Sequence, residues 1–493
     1  MGLVKKLTLG LFIFIMAMCL LTLDANAKGK YPPYETYAPS YQYIYSIKPP
    51  YGSDYPYYAE DSPLFVKQIL PQFYEDFSFD VEEMKKVWEQ CLGWKSPDVV
   101  GKIAPEIKPG LKVKYTELAQ HPGLKELMYE DLYNRIKPGD KPHGGNIPEF
   151  RVVETTQFYY ALPQGLKTLE CKGKAKQDED GYIIWETIVD GGMPFPEPSG
   201  PHKAIQIMYD WKYRPSSWDS CSASRSWDHA YTKDFVLDFD GVFETKGLKL
   251  YGRTQAEPLG WYVDRAEQLK ESGCSFLIFP IPRDVAGLTI STISYLPPEK
   301  FNSSMTYVPA LRRVRKNSST DTQDPIAGTD LIGDDQGTWS QKISITRFPY
   351  KYEIMEDREY LIVAPGIDGS EWISPPEEAL QFNNIRMMRR PVYVMKLTQL
   401  DNTYIYSYRI FYIDAEHFTI FHTENFDQKG RLYRTFDQTT GFIPTMGSYG
   451  WQGGLSLMRD HLDLHSQVQQ PYFIPAEFDR NDLNLGALVR AAK

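Results

Sequence analysis

Residues 392–435 read VYVMKLTQLDNTYIYSYRIFYIDAEHFTIFHTENFDQKGRLYRT, and the fold turns on how this stretch is read. Four segments, Val392–Thr398, Thr403–Ile413, Phe418–Glu424 and Arg431–Thr435, are rich in the β-branched and aromatic residues that suit a pleated surface. The connections between them are short and polar, including Asp401-Asn402 and Asp427-Gln428-Lys429-Gly430. Such connections join neighbours that run in opposite directions, so the stretch predicts an antiparallel meander. Within Thr403–Ile413 the even positions carry Tyr404, Tyr406, Tyr408, Ile410 and Tyr412, and the odd ones include Ile405, Phe411 and Ile413. Both faces of this strand therefore expect a cover.

The same alternation extends upstream. Ile205, Ile207, Tyr209, Trp211 and Tyr213 alternate with Gln206, Met208, Asp210 and Lys212, which predicts a strand. Phe235, Leu237 and Phe239 continue the pattern to the turn signal Asp240-Gly241, and Leu248, Leu250 and then Leu288–Leu296 follow. One helix interrupts them, near Tyr262–Glu271. Strands without regular crossover helices argue against a parallel α/β sheet and for a sandwich or barrel. Two amphipathic helices precede the strands. Asp80 and Glu83 form a capping-box-like start before Val81, Met84, Val87, Trp88, Cys91 and Leu92. Pro122 opens a second run, with Leu124, Leu127, Met128, Leu132, Tyr133 and Ile136 on one face and Pro138-Gly139 closing it.

The N-terminus carries an address. Lys5 and Lys6, the apolar run Leu7–Leu23 and the small-x-small site Ala25-Asn26-Ala27 read as a cleaved secretory signal. Cys19 lies inside the apolar run and follows Met16-Ala17-Met18, without the small residue a lipoprotein signal places before its cysteine. Residues 28–60 hold ten tyrosines among prolines and read as an extended, polyproline-like arm. The chain thus divides into a signal peptide at 1–27, the arm at 28–60, a helical region at 61–145, the β domain at 146–470 and a tail at 471–493. Loss of the signal takes the net charge from −10 to about −11, a poor match for nucleic acid or anionic lipid surfaces. The mature chain keeps Cys91, Cys171, Cys221 and Cys274, which in an oxidising compartment allow two disulfides in three connectivities.

Catalytic signatures are absent from the sequence: there is no GxSxG, Walker A pattern, GxGxxG turn, HExxH or CxxC. His461 and His465, four apart, supply half a metal site at most on a helix, and His417 and His422 fall on opposite sides of a strand-turn. The Ser/Trp segment 216–229, with Trp218 and Trp227, reads as a loop whose indoles either grip a ligand or tuck inward. In Tyr307–Lys316 a single basic strand would put Val308, Ala310, Arg312 and Val314 on one face and Tyr307, Pro309, Leu311, Arg313 and Arg315 on the other. Whichever face turns inward carries an arginine that needs a partner. The acidic turn with Asp330, Asp334 and Asp335 follows closely, so either the basic strand and the acidic turn are both solvated or one of Arg312, Arg313 and Arg315 pairs with one of these aspartates; the ordered motifs described next favour the pair.

Several motifs occur in a fixed order: IAPEIKPG at 103–110, GGMPFP at 191–196, YGR at 251–253, VPALRRVR at 308–315, GTDLIGDD at 328–335, YID at 412–414 and FDQKGRL at 426–432. Together they resemble a Gram-negative secreted family of unknown function related to the outer-membrane lipoprotein-sorting proteins LolA and LolB. The resemblance implies a mainly β (α+β) fold, a large antiparallel, incompletely closed barrel with helices covering its concave face. It also implies a non-catalytic periplasmic carrier of lipid, acyl or other hydrophobic ligands, without a cofactor. A resistance-nodulation-division type exporter is the implied partner, and transient outer-membrane contact is compatible with the role. Ligand-binding or coupling residues are then sought at Pro194, Phe195 and Pro196 and among Arg312, Arg313, Arg315, Asp330, Asp334 and Asp335. The rival expectation is a structural or glycan-binding protein of the cell envelope, working through the tyrosine arm and the Ser/Trp segment.

Overall fold

The computed structural model describes residues 80–188, 191–215, 219–255, 258–281, 283–317, 322–364, 380–383, 385–443, 448–450, 456–470, 473–475, 483–484 and 486–487. The signal peptide and the tyrosine arm lie outside the described residues. Helices are α1 (Val81–Leu92), α2 (Ser96–Val99), α3 (Gly123–Leu127), α4 (Glu130–Asn134), α5 (Leu162–Cys171), α6 (Lys203–Tyr213) and α7 (Asp264–Leu269). Strands of the first half are β1 (Lys112–Lys114), β2 (Glu149–Val152), β3 (Ser220–Tyr231), β4 (Leu237–Lys249), β5 (Glu271–Ile281), β6 (Leu288–Tyr295), β7 (Ser303–Val308) and β8 (Arg313–Lys316). Then come β9 (Tyr350–Val363), β10 (Ile385–Gln399), β11 (Tyr408–Asp414), β12 (Ile420–Phe426), β13 (Leu432–Gln438), β14 (Gly441–Ile443), β15 (Ser448–Gly450), β16 (Ser456–Asp460), β17 (Ser466–Gln470) and β18 (Phe473–Pro475).

One sheet holds all but β14 and β15, in the order β1-β2-β10-β11-β12-β13-β16-β17-β3-β4-β5-β6-β7-β8, with β9 also on β10 and β18 on β3. The fold is therefore mainly β. The meander expected over residues 392–435 is β10 to β13, paired antiparallel in sequence order. A second meander runs from β3 to β8, and β17 stitches the two together. The pairing of β2 with β10 is parallel. Among the described residues β1 and β8, the two ends of the order, do not pair, so the sheet stays unclosed.

The first meander is covered on both sides. On one side α1, α5 and α6 bring Trp88, Cys91, Ile207 and Trp211 against Met388, Met395, Leu397, Phe411 and Ile413. On the other, α3 and α4 bring Leu124, Leu127 and Leu132 against Phe150, Met387, Val394, Tyr412 and Phe421. This double cover explains why the even and odd positions of β11 are both apolar. The cap on α1 forms as its sequence predicts: the Asp80 carboxylate accepts from the Glu83 N–H, and Gly93 ends the helix in the left-handed region at φ 80°.

Several elements depart from expectation. Residues 203–213 form α6, not a strand, because the segment is buried on nearly all sides: Ile205, Ile207, Met208, Tyr209, Asp210 and Trp211 are all interior. Only Lys203, Gln206, Asp210 and Lys212 are polar, too few to mark the helical period strongly, so apolar residues at odd positions mimic a strand. The helix expected after Pro122 breaks into α3 and α4 at Met128 and Tyr129, both of which have extended ψ values. Asp240-Gly241 is not a turn but the interior of β4, and most of the Ser/Trp segment is strand β3; Trp218 lies outside the described residues. Tyr307–Lys316 is not one strand either: β7 ends at Val308, Pro309–Leu311 make a helical turn, and Arg312 at φ 48° reverses the chain into β8. Proline at the turn removes a ladder donor, which ends the strand there.

Trp88 is the anchor of α1, fully buried, with its indole N–H donated to the Glu416 carbonyl at 3.0 Å. Trp88→Ala is expected to cost about 3–5 kcal/mol in chemical denaturation of the mature protein; a cost under about 1 kcal/mol would mean that α1 is not part of the cooperative core.

Candidate functional site

Charged residues have been drawn into the sheet as closed sets. Arg390 of β10 is completely buried and grips Asp414 with two nitrogens, at 2.6 and 3.0 Å, while a third bond of 2.7 Å goes to Glu416. Glu416 also accepts from the Ser96 and Phe158 backbone N–H groups, so one carboxylate ties α2 and the segment before α5 to the β11–β12 turn. Burial pushes the Glu416 carboxyl up, opposed by Arg390. Beside it, His417 stacks on Tyr160 at 4.2 Å, and burial holds its pKa well below the usual histidine range. Arg389, the next residue, points the other way. It donates to the carbonyls of Ile103, Ala104 and Ile107, which places the IAPEIKPG motif as its acceptor cradle.

The acidic turn is the second set. Asp334 accepts from Tyr404, Thr322 and Gln341 at 2.7, 2.9 and 2.7 Å, and burial pushes its carboxyl up. Asp335 accepts from the Tyr406 hydroxyl at 2.6 Å and lies 3.2 Å from Arg409 and 3.7 Å from Arg434. Asp330 pairs with His465 at 2.9 Å. The expected pairing with Arg312, Arg313 or Arg315 is thus overturned: all three arginines are exposed, and none forms an ion pair among the described residues. The hairpin explains the outcome, since it carries these arginines to the free end of the sheet while Arg409 and Arg434 reach the turn from β11 and β13. Tyr404 and Tyr406 precede β11 rather than lying in it, which frees their hydroxyls for the two aspartates.

The third set joins α4 to β12, β13 and β16. Asp437 is held by Arg135 at 3.0 Å, Arg459 at 3.1 Å, His422 at 3.0 Å and the Tyr129 hydroxyl at 2.8 Å. Asp131 pairs with Arg459 and lies 3.4 Å from Arg135. Asp131, His422 and Asp437 have ligand atoms within 4.8 Å of one another, a spacing that suits a metal. Two guanidiniums already occupy the carboxylates, so the arrangement is a closed charge network rather than an ion cradle. Burial opposes a charge on His422, yet Asp437 and, more weakly, Glu424 and Asp131 raise its pKa to about 9. A cavity of about 30 Å³, large enough to admit water, adjoins Tyr129, Arg135 and Asp437.

Sequence reasoning named the aspartates of the acidic turn but not their partners, nor the other two sets, because the partners lie on different elements and only the register unites them. Of the other expected residues, Pro194 and Pro196 are buried and Phe195 is half-buried, with its N–H donated to Asp210. Pro196 borders an open groove of about 430 Å³ with Leu92, Trp94 and Tyr393. Cys91, Cys171, Cys221 and Cys274 are buried thiols outside any disulfide. His461 and His465 sit in the β16–β17 turn, not on a helix; His461 meets Thr435 and His465 meets Asp330.

The second meander is covered differently. One face of β4–β8 is buried, with Leu248, Cys274, Phe276, Ile278 and Tyr307 under Ala266 of α7 and under Leu483 and Ala487. On its other face the register aligns Thr245, Leu277, Ile290 and Thr306 in one row across four strands. These side chains, with Leu288 and Thr292, are half-exposed and uncharged.

The family profile described as "Protein of unknown function (DUF1329)" matches residues 130–470. A comparison with curated proteins finds no match. Similar solved structures include a candidate outer membrane lipoprotein-sorting protein domain from Vibrio parahaemolyticus, 18% identical over 59% of this chain and 100% of that one, at a TM-score of 0.42. A DUF1329 family protein from Desulfovibrio piger is 15% identical over 58% of this chain and 95% of that one, at 0.40. A LolA superfamily protein from Nitrosomonas europaea is 12% identical over 58% and 98%, at 0.36.

The His422 network makes stability pH-dependent with a definite sign. A histidine whose pKa rises from the usual value of about 6.5 on folding stabilises fully below that value and loses its contribution as pH climbs through the folded value. The mature protein is therefore expected to lose on the order of 2–3 kcal/mol between about pH 6.5 and 9. His422→Asn should be less stable at pH 6 and flat over this window in melting experiments. A wild-type profile as flat as the variant's would remove the charged histidine from the account.

Proposed function

The chain belongs to the DUF1329 family, a family of unknown function, and we propose that it is a non-catalytic carrier or accessory protein that holds lipid, acyl or other hydrophobic ligands against the half-exposed face of β4–β7. The observation that carries this reading is the asymmetry of the second meander. Its buried face is sealed by α7 and by Leu483 and Ala487, while the face with Leu277, Leu288 and Ile290 is left half-exposed in a sheet that does not close. Burying a methylene contributes roughly 0.8 kcal/mol, so a sixteen-carbon tail carries on the order of 12 kcal/mol of incentive to leave water. A strip of aliphatic side chains interleaved with threonines offers it contact without a charge to desolvate.

The ordered motifs support the same reading through the resemblance to lipoprotein-sorting proteins. That resemblance also suggests a periplasmic setting, entered through the signal at 1–27, with work beside a resistance-nodulation-division type exporter. Among the described residues no helix is long and apolar enough to cross a membrane. A glycan-binding role is the second reading, favoured by the groove where Trp94 and Tyr393 flank Pro196.

Protein purified from its own host is expected to carry extractable lipid and to take up a fluorescent fatty acid in a saturable manner. Leu277→Lys with Ile290→Lys should lower that uptake at least about tenfold at unchanged melting temperature, because each lysine puts a desolvation cost under the tail. No co-purifying lipid and no uptake, together with a sugar-dependent change in fluorescence lost in Trp94→Ala, would replace the carrier reading with the glycan one.

A further inference from the structure

Arg313 and Arg315, which form no ion pair among the described residues, lie in register with the half-exposed face. In the antiparallel ladder, directly opposed residues share a side of the sheet. Leu277 opposes Ile290, Ile290 opposes Thr306, and Thr306 opposes Arg315, so this row runs from aliphatic side chains on β5 and β6 to a guanidinium on β8. Two residues along, on the same side, Phe279 opposes Leu288 and Val308 opposes Arg313. Both rows therefore begin apolar and end in an exposed arginine at the free end of the sheet. Lys316 and Val314 fall on the opposite side, Val314 packing with Tyr307 and the buried core. The strand between, β7, contributes no charged residue.

We propose that this face selects anionic amphiphiles, with the tail lying along Leu277, Leu288 and Ile290 and the carboxylate or phosphate headgroup held by Arg313 and Arg315. The inference rests on the carrier reading and adds to it the charge and the orientation of the ligand. Three strand spacings separate Leu277 from Arg315, about 14 Å, which a medium-length acyl chain spans. Guanidiniums offer forked donors to a carboxylate or a phosphate, and their placement at the unpaired end leaves room for a headgroup in water. The protein as a whole is acidic, at −10, so two cations that meet no carboxylate among the described residues, at the end of an uncharged strip, are a local inversion of its field. The same arginines also discourage strand pairing at an open edge. That role alone would not need both to share the aliphatic side.

The test compares dodecanoate, dodecyl phosphate and dodecanol as competitors for a fluorescent probe on the mature full chain, at low salt and about pH 8, where the carboxylate is ionised. The two anions are expected to compete about five- to tenfold better than the alcohol, with the advantage fading as salt is raised. Arg313→Gln with Arg315→Gln should erase that advantage while leaving alcohol binding and melting temperature unchanged. Inorganic phosphate alone should not displace the probe. Equal binding of all three amphiphiles by the wild type, an advantage that survives the double substitution, or displacement by inorganic phosphate would each overturn the proposal. A variant that keeps the advantage and instead self-associates would assign the arginines to edge protection. Failure of every amphiphile to compete would overturn the carrier reading itself, and this inference with it.

Discussion

A guanidinium sealed inside a sheet must meet carboxylates or it will not stay there, and Arg390 sets that constraint at the centre of this protein. It is fully buried, and it holds Asp414 and Glu416 from the same turn. Glu416 in turn holds backbone N–H groups from α2 and from the segment ahead of α5, and Trp88 donates to its carbonyl. The helices on this side are thus tied to one point of the meander as well as being pressed against it. The same solution recurs with Arg409 and Arg434 on Asp335, and with Arg135 and Arg459 on Asp131 and Asp437. A well-packed apolar core would serve stability as well. What the ion pairs add is geometry, since each fixes a loop or helix against a particular strand.

The two meanders consequently differ in character. Strands β10 to β13 are packed on both faces and threaded with paired charges, which suits a rigid scaffold. Strands β4 to β7 have one sealed face and one largely half-exposed face, lined by small hydroxyls and aliphatics with the buried Phe279 at one end. A carrier needs both properties: a frame that does not change when a ligand leaves, and a surface with no better partner than that ligand. Net charge proved a poor guide to this division. An acidic chain argues against anionic partners on average, yet the hairpin at β7–β8 presents Arg312, Arg313, Arg315 and Lys316 together.

Much of the fold was legible in the sequence. The meander over 392–435, the cap at Asp80 and the two-sided cover of β11 follow from periodicity and turn chemistry, because those signals are local. Residues 203–213 misled because a largely buried helix carries few polar residues to mark its period. Tyr307–Lys316 misled because Pro309 was read as a passenger in a strand when it ends one. Candidate site residues were legible only by type. Asp334 and Asp335 were expected to serve an arginine of Tyr307–Lys316, but their partners Tyr404, Tyr406, Arg409 and Arg434 sit about 70 to 100 residues away and are chosen by strand register, which no local pattern records. The motif order was informative for the same reason: IAPEIKPG, GTDLIGDD and YID all supply partners to buried arginines.

Amide hydrogen exchange on the mature protein, with and without a bound acyl anion, separates the rigid frame from the ligand face. On this division of labour β10 to β13 exchange slowest in both states and change little, while the ligand adds protection to β5, β6, β7 and the β7–β8 hairpin. Protection confined to the groove around Trp94 and Pro196, or spread over β10 to β13 with β5 to β7 unaffected, would contradict it.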